Sequence, residues 1–366
     1  MDFKDYFDYP LCKDYADRLQ AIVPDFDRNR FNTVIGDQLL NLEMKGRVNL
    51  IAEGVWEGLS LPYPETVKVI CQAIAGCSQY APMRSFPVWV ASQVVERYGL
   101  EDFDASMAAI YQITQQFTGE FAIRPFLERY PERTFDLLTV WASDHSTDVR
   151  RLVSEGSRPR LPWAMRVSHL LDDPSPIFDL LVQLKDDPEE YVRRSVANNM
   201  NDIAKDSADR VVHELTLWKE QDDSKELQWI IQHGLRTLLK NGHKGALSLM
   251  GYDSELEMDI NHFKASPASI SEGESVELQC QLSTFNDQPE QLMIDFLLLS
   301  PGKNGRKNRK VFKWSKRTLN QAGKVVLNKQ LSLKSNSVRK FYPGEYEVHL
   351  IVNGQEKAVS VFDVEN

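Results

Sequence analysis

The sequence predicts a mainly α-helical protein in two parts, an α-solenoid followed by an all-β sandwich. Three observations predict this fold class. Apolar residues recur at helical spacing up to about Met250, a five-residue pattern repeats within that region, and short alternating segments replace the helical ones from about Leu256. We therefore expect two domains, residues 1–252 and residues 256–366, which suits a chain of 366 residues.

The helical region carries an internal repeat. The segment VRRLV at Val149–Val153 returns as VRRSV at Val192–Val196, 43 residues later, and a weaker match follows at Trp229–Lys240. HEAT-type repeats, each of two helices, have periods of about 40–47 residues. The sequence DPEE ahead of the second match predicts a helix with Asp187 as its N-cap. The repeat therefore predicts a solenoid, whose concave surface can follow a duplex.

Four segments after residue 256 alternate or are rich in β-forming residues, and polar turns separate them. Short strands at this spacing predict an immunoglobulin-like sandwich. Because the Cys…Trp…Cys signature of antibody domains is absent, we expect an intracellular relative of that fold. The segments are Ser275–Thr284, Gln291–Ser300, Lys324–Leu333 and Gly344–Gly354.

The composition indicates a cytoplasmic protein with packed cores. Hydrophobic residues make up 42% of the chain, yet no run approaches the ~18 apolar residues of a membrane span. The first residues, MDFKDYFDYP, are acidic and aromatic, unlike a signal peptide. Four cysteines are too few for a disulfide framework, which fits a reducing compartment. Because the sequence shows no metal-ligand spacing and no Gly-rich phosphate loop, we expect neither metal nor cofactor.

Positive charge is concentrated in one segment of an otherwise acidic chain. The formal net charge is -10, yet Pro301–Arg317 contains eight Lys and Arg residues and no Asp or Glu. Such asymmetry is typical of proteins with a polyanionic partner. Nucleic acid is favoured over a membrane because the segment lacks an amphipathic helical pattern; a solvated Lys-rich loop is the alternative. The expected contacts are Lys303, Arg306, Lys307, Arg309 and Lys310.

A polar stripe runs along the predicted helix from Glu189 to about Ala204. At about 100° per residue its apolar side chains share one face, whereas Tyr191, Ser195, Asn198 and Asp202 line up away from it. In the preceding repeat Arg151 also points away from the core. We therefore expect the concave groove to present Arg151, Arg194, Asn198 and Asp202.

The segment between the two repeat matches is rich in arginine. Residues 150–166 contain five arginines, one glutamate and Trp163. The guanidinium fork suits phosphate, and a Trp beside it can stack on a base or sugar. The alternatives are ordinary arginines at helix ends and a Trp that fills the core. The arginines are Arg150, Arg151, Arg158, Arg160 and Arg166.

Two acids near these segments are candidates for chemistry. Thr118 and Gly119 predict a helix start, so Glu120 is expected in a first turn. The non-catalytic alternative for Glu120 is that it complements the helix dipole at this position. The corresponding alternative for Asp202 is an ion pair with a nearby Arg or Lys. The residues alone leave both roles open.

Three motifs resemble a known family. GEFAIRPFL, VRRLVSEGSRPRLPW and VRRSVANNMNDIAKD occur in this order. They look like the AlkC family of bacterial DNA alkylation-repair glycosylases, which is related to the HEAT-like-repeat glycosylases of the AlkD type. The resemblance covers essentially the whole chain, and some members of that family carry a C-terminal immunoglobulin-like domain.

The resemblance implies a monofunctional, monomeric enzyme of base excision repair. It would remove N3-methyladenine and N3-methylcytosine from double-stranded DNA without metal, cofactor or full base flipping. Glu120 and Asp202 would be the catalytic acids, Trp163 would pack against the lesion, and Arg151 or its neighbour Arg150 would hold the nearby backbone. Relatives of the AlkD type use aspartate where Glu120 stands, so the division of labour between the two acids stays open.

The implied chemistry is consistent with these residues. A base methylated at N3 is already cationic and leaves without protonation, while the sugar becomes oxocarbenium-like. Carboxylates stabilise both cations and orient a water molecule. We expect the basic segment to close the protein around the duplex opposite the helical groove. Two other interpretations remain, a non-enzymatic DNA-binding solenoid and a scaffold for an acidic protein.

Overall fold

The computed structural model describes residues 2–75, 86–284, 286, 288–303, 305–320, 323–336 and 340–365. They form two compact units, one of residues 1–207 and 221–234 and the other of residues 208–220 and 235–366. Every described strand lies in the second unit. Within these residues no helix combines the length and the apolar character that a membrane span requires.

Helices α1 to α16 occupy the described chain up to Leu249. Several begin where the sequence offers a cap, as at Asp8, Asp27 and Asp102, whose carboxylates accept a main-chain N–H of the first turn. The bounds are α1 Tyr9–Ile22, α2 Arg28–Ile35, α3 Met44–Leu59, α4 Tyr63–Ile74, α5 Trp89–Tyr98, α6 Phe103–Thr114, α7 Arg124–Arg129, α8 Pro131–Trp141, α9 Thr147–Gly156, α10 His169–Asp172, α11 Ser175–Leu184, α12 Glu190–Ile203, α13 Ala208–Gln221, α14 Lys225–Gly234, α15 Arg236–Lys240 and α16 Lys244–Leu249.

The repeated motifs lie on helices that pack side by side in the first unit. VRRLV lies on α9 and VRRSV on α12, and α12 packs between α9 and α14, while α8 and α11 pack against this layer. The first valine of each motif, Val149 or Val192, is fully buried. The predicted HEAT-like solenoid is therefore confirmed, because the apolar face of each repeat is covered by the next.

The start of α12 differs from the prediction. The helix begins at Glu190, and its N-cap is Glu189, whose side chain accepts no capping hydrogen bond. Asp187 is not the cap: its carboxylate accepts the main-chain N–H of Glu189 at 2.9 Å and the Arg150 Nε at 2.6 Å. Asp187 therefore closes a turn ahead of α12 and connects that turn to Arg150 on α9. The local sequence does not reveal this tertiary contact.

Among the described residues of the second unit, eight strands form two sheets. One has the order β1-β3-β6, and the other β2-β8-β7-β4-β5. The four predicted segments correspond to β3, β4, β6 and β7, and the strand expected within the basic segment corresponds to β5, while β1, β2 and β8 were not predicted. The bounds are β1 Asp259–Ser266, β2 Ser269–Ser271, β3 Ser275–Ser283, β4 Glu290–Pro301, β5 Lys307–Leu319, β6 Lys324–Ser332, β7 Gly344–Val352 and β8 Gln355–Glu365.

The predicted immunoglobulin-like sandwich is confirmed. Its core contains Phe296 and Tyr346, both fully buried. The Tyr346 hydroxyl donates to the carbonyl of Tyr342 at 2.7 Å, the hydrogen bond of a tyrosine corner. The basic segment forms β5, an edge strand of 13 residues. Lysine and arginine on such an edge prevent unwanted pairing with other strands, and they also leave the positive charge exposed.

Candidate active site

A cavity of about 430 Å³ in the first unit brings together four of the residues that the sequence singled out, Glu120, Arg151, Arg158 and Trp163. One wall comes from the turn between α6 and α7, a second from α9 and α12, and a third from the irregular segment after α9. Aromatic side chains form its floor, where the Trp89 and Phe121 rings stack with centroids 5.1 Å apart. The lining residues are Phe86, Trp89, Phe117, Thr118, Glu120, Phe121, Arg151, Glu155, Arg158, Leu161, Pro162, Trp163 and Tyr191.

Glu120 lies in the turn before α7 and not in the first turn of a helix, so the predicted dipole role is wrong. Its carboxylate accepts a hydrogen bond from the Thr118 hydroxyl at 3.0 Å and pairs with Arg151. Gly119 permits this tight turn, because a Cβ there would lie 2.7 Å from atoms of Ile110 and Thr114. The side chain of Glu120 keeps 13% of its surface exposed, toward the cavity that it lines.

Five side chains of alternating charge, which we call the charge chain, run from the cavity into the protein. Arg151 pairs with Glu120 and also approaches Glu155 at 3.4 Å, and Arg158 pairs with Glu155 and donates to Asp202 at 2.7 Å. Each guanidinium thus joins two carboxylates, which fixes the orientation of all five groups. The charge chain consists of Glu120, Arg151, Glu155, Arg158 and Asp202.

The interactions within the charge chain favour the ionised forms of Glu155 and Arg158. Burial opposes ionisation of Glu155, but the charges of Arg151 and Arg158 outweigh burial and lower the pKa of this carboxyl. Burial likewise opposes the charge on Arg158, yet Glu155 and Asp202 raise its pKa. The site is therefore polar and preorganised before any ligand arrives.

Asp202 and Ser195 do not face a groove, contrary to the expectation from the polar stripe. Their exposed fractions are 2% and 3%. The Ser195 hydroxyl donates to Glu155 at 2.6 Å, and Asp202 is held by Arg158 and by Lys205 at 2.7 Å. The α9 helix and the segment after it cover this face of α12. Helical periodicity separates polar from apolar faces, but it does not reveal that a polar face is buried by charged partners.

Trp163 is exposed, and the alternative that it fills the core is wrong. Its exposed fraction is 69%, and its φ of 64° lies in the left-handed region. The ring stands at the cavity, on the segment that also supplies Leu161 and Pro162. The indole of Trp163 therefore offers a flat apolar face to solvent beside the cavity.

The remaining arginines of the predicted set lie outside the cavity lining, and three hold local structure. Arg150 donates to both carboxylate oxygens of Asp187, and Arg160 to both oxygens of Asp206 at 2.6 Å. Arg194 pairs with Glu190 and lies over the Trp229 ring at 5.8 Å. Asn198 bonds to His233 at 3.1 Å, and Arg166 is exposed.

Sequence reasoning missed several residues of the cavity. Tyr191 belonged to the polar stripe but received no role; its ring lies 5.3 Å from the Arg151 guanidinium. Glu155 is the single acid in the arginine-rich segment, a signal that could have found it. Phe121 and Trp89 stand in apolar stretches of the sequence. An apolar pattern does not show whether a side chain lines a cavity or fills a core. Among the described residues, no group of three His, Cys, Asp or Glu side chains is arranged to hold a metal.

The second unit contains a separate cavity of about 800 Å³, which we call the basic pocket. Its cations are Lys303, Arg309, Lys310 and Lys340, and its described lining contains no carboxylate. Arg306, also in the predicted set, is exposed outside this lining, and Lys307 pairs with Glu347. Tyr342, Phe341 and Phe312 add aromatic surface to the pocket.

Comparison with known proteins gives consistent results for both units. The family described as "Uncharacterised protein YhaZ, C-terminal Ig-like domain" matches residues 259–366. The uncharacterized protein YhaZ of Bacillus subtilis strain 168 is 32% identical over 368 residues, with 99% of each chain covered. The structure of the Pseudomonas fluorescens alkylpurine DNA glycosylase AlkC, bound to DNA containing an abasic site analog, matches with a TM-score of 0.89, 32% identity and 99% of each chain covered.

Proposed function

The chain belongs to the family of AlkC and YhaZ, and from this premise we propose that it is a DNA glycosylase acting on alkylated bases in duplex DNA. The observation that carries the proposal is the position of Glu120. Its carboxylate forms part of the wall of a cavity lined by aromatic rings and arginines. A fixed anion in such surroundings suits a reaction in which positive charge develops.

The proposed substrates are bases that alkylation has already made cationic, N3-methyladenine and N3-methylcytosine. Such a base leaves without a general acid, and bond breaking leaves positive charge on the deoxyribose. Glu120 stabilises that charge and orients the attacking water. A neutral base gains nothing from the carboxylate before the bond breaks, and it is a poor leaving group. Selectivity therefore follows from charge, and no closed pocket for the base is needed.

Asp202 is the second catalytic acid in this proposal. In the free protein its carboxylate is held by Arg158, which lines the cavity while Asp202 does not. A backbone phosphate of bound DNA competes for the same guanidinium, because phosphate and carboxylate both accept its paired donors. Transfer of Arg158 to the phosphate frees Asp202 to face the sugar of the lesion.

Trp163 and Arg151 are proposed to hold the lesion nucleotide. The exposed indole of Trp163 offers a face on which a base or sugar can pack. A cationic base over this ring gains about 0.5–2 kcal/mol from cation–π attraction. Since the ring is already at the surface, the nucleotide can reach it without leaving the helix completely. Arg151 contacts the backbone beside the lesion.

Further cationic side chains of both units, together with the Asn198 amide, are proposed to bind the phosphates of the duplex. In the first unit they lie on α9, on α12 and in the segment between α9 and α10; in the second they lie on β5, in the preceding turn and in the basic pocket. Contacts of this kind position the protein without reading the sequence. The proposed contacts are Arg150, Arg158, Arg160, Arg166, Arg194, Asn198, Lys303, Arg306, Lys307, Arg309 and Lys310.

The experiment that tests the function is incubation of the full chain with methylated duplex DNA, followed by identification of the released bases by mass spectrometry. We expect free N3-methyladenine and N3-methylcytosine, and intact strands with abasic sites until alkali is added. Unmethylated duplex should release nothing. If methylated duplex also releases no methylated base, the proposed activity is wrong.

A further inference from the structure

Arg124 is a fully buried arginine to which the proposed mechanism gives no role. It lies in the GEFAIRPFL motif, at the first residue of α7. Its guanidinium donates only to main-chain carbonyls among the described residues: Met165 at 2.6 Å, Gly156 at 2.8 Å, Arg158 at 2.7 Å and Pro159 at 3.4 Å. Burial lowers its pKa to about 10, so the group remains charged at neutral pH.

These four carbonyls lie along the segment that supplies Arg158, Leu161, Pro162 and Trp163 to the cavity lining. The segment from Gly156 to Met165 begins with the last residue of α9, and its residues 157–165 form neither helix nor strand. Its carbonyls therefore lack the regular partners that secondary structure supplies. Because one guanidinium satisfies four of them, it determines the path of the segment that carries Arg158 and Trp163.

A second cation holds the same segment at its exposed end. Lys45, near the start of α3, donates its Nζ to the carbonyl of Trp163 at 3.1 Å. The same Nζ lies 3.9 Å from the Glu96 carboxylate and 6.0 Å from the centroid of the Phe121 ring. Lys45 thus connects the backbone of Trp163 to the cavity floor. This contact matters because Trp163 has a positive φ, which residues other than glycine rarely adopt.

We propose that Arg124 and Lys45 are positioning residues that together hold the Gly156–Met165 segment so that Trp163 is presented at the cavity. Arg124 fixes the buried part of the segment through its carbonyls. Lys45 fixes the exposed part through the carbonyl of Trp163 itself. The consequence for base excision rests on the proposed function, whereas the structural consequence does not depend on it.

The Lys45 contact is tested with Lys45→Met, because the lysine is partly exposed and the fold does not depend on its burial. In protein labelled with ¹⁵N-tryptophan, the signal of Trp163 is assigned by its loss in Trp163→Phe. Without the hydrogen bond from Lys45, we expect the backbone order parameter of Trp163 to fall from about 0.85 to below about 0.6. Lys45→Arg should restore the rigid value, because arginine also donates. Lys13→Met, on the exposed surface of α1, is the matched control.

The same variants are then compared in single-turnover excision. We expect Lys45→Met to slow the chemical step by about tenfold with little change in DNA affinity, because misplacement of a positioning group affects mainly the reacting geometry. An unchanged order parameter in Lys45→Met overturns the role of Lys45. If the wild-type protein releases no methylated base, the proposed function fails, but the order parameters still decide this inference.

The Arg124 contact is tested with Arg124→Lys, which keeps the charge but lacks the donor fork. We expect the Gly156–Met165 segment to loosen, so that trypsin cleaves after Arg160 about tenfold faster than in the wild-type protein. Cleavage at other sites should be unchanged, which distinguishes local opening from general unfolding. Equal rates in the two proteins, or faster cleavage at every site, would contradict the inference.

Discussion

Arg158 donates to the carboxylate of Asp202 at 2.7 Å, and of these two residues only Arg158 lines the cavity. The arginine therefore shields the buried acid from any ligand in the free protein. This relationship makes a catalytic role for Asp202 depend on the movement of the Arg158 guanidinium, while Lys205 holds the other carboxylate oxygen at 2.7 Å. It also makes Asp202 a residue whose replacement disturbs both charge and geometry.

We expect Asp202→Asn to reduce single-turnover excision at least tenfold, because one fixed negative charge at such a site contributes on the order of 10²–10³ in rate. DNA binding should persist, since Arg158 is freed for phosphate. Asp206→Asn is the matched control: Asp206 pairs with Arg160 through two oxygens but lies outside the cavity lining. A loss of similar size in both variants would assign the effect to structure and not to catalysis.

Glu120→Gln should also slow excision at least tenfold while the affinity for DNA is retained. The amide keeps the size of the side chain and its contact with Thr118, so only the negative charge is removed. Single-turnover assays and binding titrations on the same methylated duplex measure the two effects. Glu57→Gln, which removes a surface pair with Arg30, should have no effect on excision. Wild-type rates in Glu120→Gln would refute the assignment.

Trp163→Ala should leave stability within about 0.5 kcal/mol of the wild type, because the ring is exposed and fills no core. Excision of cationic bases should fall by about twofold to thirtyfold, which corresponds to a cation–π attraction of about 0.5–2 kcal/mol. Urea unfolding and single-turnover excision are the two measurements. Trp229→Ala removes another partly exposed Trp, outside the cavity lining, and should keep full activity. A destabilised Trp163→Ala protein would indicate a structural role instead.

The basic pocket predicts a salt effect. Replacing Lys303, Arg309 and Lys310 by alanine should weaken binding to duplex and reduce the slope of log affinity against log salt by about 0.9 for each phosphate that the variant no longer neutralises. Removal of the whole segment 256–366 should act in the same direction. The slope is measured by fluorescence anisotropy between low and moderate salt. A triple alanine variant of Lys4, Lys13 and Lys68 controls for the change in net charge, and equal slopes in the two triple variants would contradict the prediction.

Glu155→Gln should reduce stability in a way that depends on pH. Burial opposes ionisation of Glu155, but Arg151 and Arg158 lower its pKa below the ordinary value of 4.5. A carboxyl with a lowered pKa contributes stability above its unfolded pKa and loses it as the pH falls through the folded value. The variant should therefore be about 1–3 kcal/mol less stable at neutral pH, and the difference should shrink below pH 4.5.

Urea unfolding at several pH values measures this difference. Glu190→Gln, which removes the exposed partner of Arg194, should show a smaller change. A difference for Glu155→Gln that stays constant down to acid pH would mean that the reduced stability does not come from the ionised carboxyl.

The sequence by itself determined that the first region is helical and that the second contains strands. Val149 and Val192 begin the repeated motifs and are both buried, because apolar spacing decides which face of a helix is removed from water. The alternating segments of the second unit became strands for the same reason. The concentration of positive charge on β5 was also readable directly, since charge is a property of composition.

Only the tertiary structure decided which polar residues are free and which are bound. Asp202 was expected to face a groove, and it is buried. A buried position in the core was one alternative for Trp163, and its ring is exposed. The physical reason is that an ion pair or a carbonyl contact joins residues far apart in the chain, such as Arg158 with Asp202 and Lys45 with Trp163. Periodicity along one helix carries no information about a partner that the fold brings from another.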